Sequence, residues 1–168
     1  MKAIFSALFI LCFTIFSYSQ TSQDFLTSGI QKARENNLQG SISDFTKAIE
    51  LNTNNFEAYY NRGLSKDKLQ NYSGAISDYS TAIKLNPNFE DAYYNRGNVK
   101  AKKLNDFKGA IADYDKVIGL NPNDREAFGN RGLSKIKLGQ KEAGCSDLNK
   151  ANELGYSKAP QLIEKYCN

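Results

Sequence analysis

From residue 22 onward, apolar and small side chains return at spacings of three and four, the period of an amphipathic helix. Ser41, Phe45, Ala48 and Leu51 fall on one helical face. The same face returns at Ala75, Tyr79, Ala82 and Leu85, at Ala110, Tyr114, Val117 and Leu120, and at Gly144, Leu148, Ala151 and Leu154. Each run is preceded by a second pattern: an aromatic residue (Phe25, Tyr59, Tyr93, Phe128), a glycine four later (Gly29, Gly63, Gly97, Gly132) and a lysine three beyond it (Lys32, Lys66, Lys100, Lys135). Successive glycines are 34, 34 and 35 residues apart, the third unit carrying its extra residue near Leu104. The spacing predicts two antiparallel helices per unit, with turns at Asn36-Asn37, Gln70-Asn71, Leu104-Asn105 and Gly139-Gln140. Asn-Pro at 86-87 and 121-122 closes two of the units, because the residue before proline is pushed out of helical geometry. The glycine and the small residue of the second run are expected where the two helices cross. One pair of helices cannot bury both of its apolar faces, so the pairs must stack.

A period of 34 with an aromatic, a glycine, an alanine, an aromatic, an alanine and a proline at these offsets resembles the tetratricopeptide repeat (TPR) family, in the form of an exported bacterial-type protein. The resemblance covers about residues 22–156 and implies an all-α, right-handed solenoid of four helix-turn-helix units, at about 22–55, 56–89, 90–124 and 125–156. Besides the extra residue of the third unit, two departures stand out. Arg62, Arg96 and Arg131 occupy the place before the glycine where the family usually has leucine. The first unit closes on Thr53 and the fourth on Tyr156 in place of proline. The segment 157–168 predicts one more helix, about 159–167, with Pro160 in its first turn and an apolar side able to cap the last pair.

The first twenty residues are different material. One cation at Lys2, an apolar run from Ala3 to Phe16 and the small polar stretch Ser17-Tyr18-Ser19 have the order of a secretory signal peptide, predicting cleavage near Ser19 or Gln20 and a periplasmic or secreted protein. The alternative is an uncleaved anchor, though the strongly apolar part falls short of the roughly 20 residues that span a bilayer. Loss of Cys12 with this segment leaves Cys145 and Cys167, and an even pair in an oxidising compartment is most simply a disulfide.

Composition narrows the chemistry. The 168 residues contain no histidine and no tryptophan, which removes histidine-paired nucleophiles, histidine zinc sites and a histidine pH switch. The formal charge of +4 is spread along the chain rather than gathered in a stripe, so nucleic acid is not an expected partner. No carboxylate or cysteine cluster has metal-ligand spacing. The sequence therefore predicts no catalytic residue, metal or cofactor, and no membrane contact once the signal is removed.

Three recurring sets remain outside the apolar pattern. Asn61, Asn95 and Asn130, two before each glycine, should form a ladder along the concave surface, resembling the asparagine ladders of peptide-binding TPR arrays. An amide both donates and accepts, so such a row can hold the backbone of an extended peptide. Tyr60 and Tyr94 stand beside it, with Leu64, Asn98 and Leu133 further along the same faces. Tyrosine offers contact area with a polar tip. The third set pairs Arg62, Arg96 and Arg131 with Asp44, Asp78 and Asp113 as a structural contact. Bonding to the next unit gives Asp44 with Arg62, Asp78 with Arg96 and Asp113 with Arg131, leaving Asp147 over, whereas bonding within a unit would strand Asp44. The positions where TPR modules hold the C-terminal carboxylate of cytosolic chaperones carry Leu26, Ile30, Asn61, Asp91 and Asn95 here, or Tyr60, Leu64, Asn95, Glu126 and Asn130 in the next frame. The cations are missing, so that function is disfavoured. The expectation is a non-catalytic module binding a protein or extended peptide on its concave face. The alternative is a scaffold subunit docking by its convex face or cap; self-association is compatible with either.

Overall fold

The computed structural model describes residues 20–168, and the predicted export signal lies outside them. Among the described residues there are nine helices and no strand: α1 (Ser22–Arg34), α2 (Leu38–Leu51), α3 (Phe56–Lys68), α4 (Tyr72–Leu85), α5 (Glu90–Lys103), α6 (Phe107–Leu120), α7 (Arg125–Lys137), α8 (Lys141–Glu153) and α9 (Ala159–Tyr166). Each odd-numbered helix from α1 to α7 packs antiparallel to the next, the pairs stack in chain order, and α9 packs on α8. The fold is an all-α helical repeat.

The turns follow from local chemistry. Asn36, Gln70, Asn105 and Gly139 adopt positive φ, reversing the chain after the first helix of each pair. The next residue caps the second helix: Asn37, Asn71 and Asp106 accept from the backbone N–H of Gly40, Gly74 and Gly109. Closure of the units needs less proline than the sequence implies. Asn52, Asn86 and Asn121 all leave the helix with extended backbone, and each side chain accepts from the N–H two residues on, at 3.1, 3.2 and 3.2 Å. Asn52 does this without the following proline that Asn86 and Asn121 have. The fourth pair ends on Gly155, at φ 82°.

The core is a row of buried side chains from the second helices: Phe45, Ala48, Tyr79, Ala82, Tyr114, Val117, Leu148 and Ala151 are all fully buried. Leu51 and Leu120, placed by the periodicity on this face, are instead 56% and 41% exposed. Each is the last residue of its helix and lies beyond the packed stretch. The glycines have two different duties. A Cβ at Gly29, Gly63 or Gly97 would stand 2.6, 2.8 or 3.0 Å from the ring of Phe45, Tyr79 or Tyr114, so there the missing side chain admits an aromatic ring. At Gly132 it would stand 2.8 Å from the carbonyl oxygen of Gly144, the closest backbone approach of the four pairs, whereas at Gly63 the carbonyl of Ala75 would be 3.4 Å away.

Candidate functional site

The arginines are partly buried linkers, their side chains 15–17% exposed. Arg62, Arg96 and Arg131 grip Asp78, Asp113 and Asp147 of the same helical pair, each through Nε and Nη2 at 2.6–3.0 Å. The next-unit pairing expected from the sequence is therefore corrected, and Asp147 replaces Asp44 in the set. The reason is reach: the adjoining unit is bonded through the remaining nitrogen instead. Nη1 donates to Thr46, Ser80 and Asp115, each two residues beyond the aspartate that the sequence nominated. Each guanidinium also lies over the aromatic ring three residues before it, 5.2–5.7 Å from the centroids of Tyr59, Tyr93 and Phe128. Asp44 is not stranded, because Ser28 donates to it at 2.6 Å and Lys32 pairs with it at 2.7 Å. Burial opposes its charge, but the bonds from Lys32 and Ser28 and the charges of Lys32 and Lys47 prevail and lower its pKa. The periodic lysines have the same duty in every pair: Lys66, Lys100 and Lys135 meet Asp78, Asp113 and Asp147 at 2.7–2.8 Å.

The asparagines and tyrosines join one unit to the next. Asn95 Nδ2 donates to Tyr60 Oη at 2.9 Å and to the carbonyl of Asp91, four residues back. Asn130 Nδ2 donates to Tyr94 Oη and to Asn98 Oδ1 at 3.1 and 3.3 Å. Asn61 Nδ2 donates to the carbonyl of Glu57. Both amide hydrogens of Asn95 and Asn130 are thus committed within the protein; Asn61 and Asn95 are half-buried and can offer their Oδ1 acceptors to a ligand, whereas Asn130, expected on the same ladder, is only 7% exposed. The tyrosine column ends at Gly129, and Tyr156, from the segment before α9, supplies the missing ring: a Cβ on Gly129 would lie 2.5 Å from it.

Burial, then Asp91, pushes the Tyr60 phenol up to about 12 against the bond from Asn95, and burial and Glu126 raise Tyr94 as well. Folded pKa values above the usual 10.0 favour the protonated state. Their contribution to stability is complete below pH 10 and is lost as pH rises from 10 to about 12. Denaturant unfolding across this range should show a plateau that falls once pH passes 10.

Tyr79 and Tyr114 occupy equivalent buried places with unequal partners. Tyr114 Oη donates to Asn98 Oδ1 at 3.0 Å. The residue matching Asn98 one unit earlier is Leu64, and the buried Tyr79 Oη has no hydrogen-bond partner among the described residues. Tyr79→Phe should therefore stabilise the protein by about 1 kcal/mol, and Tyr114→Phe should destabilise it by about 1 kcal/mol. Chemical denaturation of the two variants checks both signs.

Two apolar hollows open along the groove, and a polar one of about 220 Å³ is lined by Tyr94, Lys102, Glu126, Asn130 and Lys158. One apolar hollow, about 260 Å³, has Ile30, Ala33 and Leu64 as apolar lining with Asn61 beside them and Arg34 and Lys68 at its edge. The other, about 360 Å³, has Phe107, Leu133, Leu162 and Tyr166, with Asn130 beside them and Lys102 and Lys137 at its edge. Arg34, Lys68, Lys102 and Lys137 all stand five residues after the periodic glycine. The sequence does not set that row apart, because lysine also recurs at the third position, where it is paired with aspartate. All four are exposed, and none is within ion-pair distance of a described carboxylate. Desolvation in the groove, with Lys158 and Lys103 nearby, lowers the Lys102 pKa.

Cys145 and Cys167 are bonded to each other, with Cα atoms 5.7 Å apart, joining α8 to the residue after α9. Among the described residues no three His, Cys, Asp or Glu side chains gather as a metal site, and no helix is long and apolar enough to cross a membrane.

Comparison with known proteins agrees with this architecture. A TPR repeat model matches residues 68–103 and a tetratricopeptide repeat model matches residues 90–124, supporting the TPR family; neither describes an enzyme family. No curated protein matches the sequence. A crystal structure of MamA is similar to this chain, at 27% identity and a TM-score of 0.77 over 83% of this chain and 81% of that one. MamA from Desulfovibrio magneticus is similar in fold, at 23% identity and a TM-score of 0.77 over 82% and 77%. The first TPR of Spaghetti (RPAP3), bound to the HSP90 peptide SRMEEVD, is 26% identical with a TM-score of 0.68, over 72% of this chain and 95% of that one.

Proposed function

We propose that this chain is a non-catalytic interaction module that holds a protein or extended peptide on its concave face, outside the cytoplasm. The observation that carries the reading is the groove itself: two hollows with apolar linings, flanked by asparagine oxygens that accept no bond from the described protein. Such oxygens can receive the N–H groups of an extended backbone. The similarity to a TPR domain with a peptide bound supports the same use of the fold. Export rests on the signal-like first twenty residues, and the disulfide is the chemistry of an oxidising compartment. A scaffold role is the second reading, favoured by Leu51 and Leu120, which stand exposed at the ends of the second helices where a larger assembly could cover them.

Crosslinking capture with the exported protein tests the proposal, repeated with Asn61, Asn95 and Asn130 changed to alanine and with thermal unfolding of the variant as control. A partner crosslinked within the groove and weakened in a folded triple variant supports it. A partner retained undiminished removes the asparagines from the site, and crosslinks confined to Leu51 and Leu120 favour the scaffold role.

A further inference from the structure

We infer that the groove selects partner segments in which acidic and apolar side chains are interleaved, with the carboxylates drawn to the row Arg34, Lys68, Lys102 and Lys137. This rests on the concave binding proposed above and adds the chemistry of what is bound.

The argument is one of charge across the groove. Along each first helix the surface changes in a fixed order. The acidic residues Glu57, Asp91 and Glu126 stand six before the periodic glycine, the asparagines two before it, Ile30, Leu64 and Leu133 one after it, and the cations five after it. These offsets lie on one side of a helix, so the helices together give the groove an acidic wall, an apolar floor and a basic wall. Neither apolar hollow has a carboxylate among its lining residues, and each has two cations, whereas the polar hollow brings Lys102 and Glu126 into one lining. A last-turn cation complements the helix dipole, but Lys32, Lys66, Lys100 and Lys135 already do so while bonded to aspartate. The second row has no such internal partner. At Lys102, burial and the charges of Lys158 and Lys103 outweigh that of Glu126, so a further carboxylate would favour its charged form.

The hollows are separated by a polar stretch. In the third unit the floor position is Asn98, which is engaged by Tyr114 and Asn130. A bound segment should therefore place an apolar residue in each hollow and a polar one between, with its acidic side chains toward the basic wall. Glu57, Asp91 and Glu126 would repel the same segment lying the other way across the groove.

Fluorescence anisotropy with the exported protein tests this, using labelled peptides blocked at both ends so that internal carboxylates alone carry the negative charge. The probes are a peptide of interleaved Glu, Leu and Ser, its Gln-for-Glu counterpart and its Lys-for-Glu counterpart. The acidic peptide should bind at least about tenfold more tightly than either, with affinity falling as salt is raised. The quadruple variant Arg34→Gln, Lys68→Gln, Lys102→Gln and Lys137→Gln changes exposed residues only, and folding is confirmed by circular dichroism. It should abolish the preference for the acidic peptide. Equal binding of acidic and neutral peptides, lost on Leu64→Asp and Leu133→Asp, overturns the inference and leaves concave binding standing. Absence of any peptide in the groove, with crosslinks only on the convex face, overturns both. Binding of phosphatidylglycerol vesicles through the same four cations, without peptide binding, also overturns the inference, because the row would then serve a membrane surface.

Discussion

Gly144→Ala should destabilise the fourth helical pair by about 3 kcal/mol, at the upper end of what overpacking normally costs. A Cβ there would stand 2.6 Å from the carbonyl oxygen of Gly132 and 2.5 Å from Cγ1 of Ile136. The side chain can rotate, but the carbonyl belongs to the hydrogen-bonded interior of α7 and cannot withdraw without opening that helix. Ser41, Ala75 and Ala110 stand at the equivalent positions, where Ala33, Asp67 and Ala101 take the place of Ile136 and, in the second pair, a Cβ at Gly63 would be 3.4 Å from the Ala75 carbonyl. Gly119→Ala is the matched control: it is exposed, and its added Cβ would meet nothing within 4 Å. That change should be neutral or stabilising by up to about 1 kcal/mol through helix propensity. Urea unfolding of the two variants decides the matter, and equal stabilities would show that the α7 and α8 backbones are not in contact.

Reduction of the Cys145-Cys167 bond, or its replacement by a pair of serines, should cost about 3 kcal/mol in the chain-entropy account for a loop of this size. The loss should be local. In a stacked array each element contacts only its neighbours, and α9 rests chiefly on α8. Hydrogen exchange should therefore lose protection in α9 first and α8 next, with α1 to α4 unchanged. The same loosening should open the larger hollow, which takes Leu162 and Tyr166 from α9 as two of its lining residues. Uniform loss of protection along the chain would contradict the localised picture.

Much of this was legible from the sequence. Periods of three and four with a repeat of 34 describe helical pairs and their stacking, because burial on one face dictates both. The turns were legible for the same reason, since asparagine and glycine tolerate positive φ. Pairings were less so. Arg62 could reach an aspartate before or after it, and only the helix spacing selects Asp78 and sends Nη1 back to Thr46. The asparagines were visible as a row, but not the commitment of their amide hydrogens to Tyr60 and Tyr94, which depends on the offset between adjoining units. The basic row was present in the sequence from the start. Only ion-pair geometry separates the lysines at the third position from the cations at the fifth.

The ring of Tyr156 against Gly129 bears on how such an array can lengthen. The third and fourth units receive their predecessors through an asparagine on a tyrosine that the second and third units present forward, whereas Asn61 of the second unit bonds its own helix. The fourth has glycine at the tyrosine position, and the place is already filled from within. Duplication of the second or third unit in mid-array would propagate the tyrosine-asparagine contact unchanged. Extension after the fourth would begin without one and against a place already filled, so internal copying keeps a contact that addition would have to rebuild.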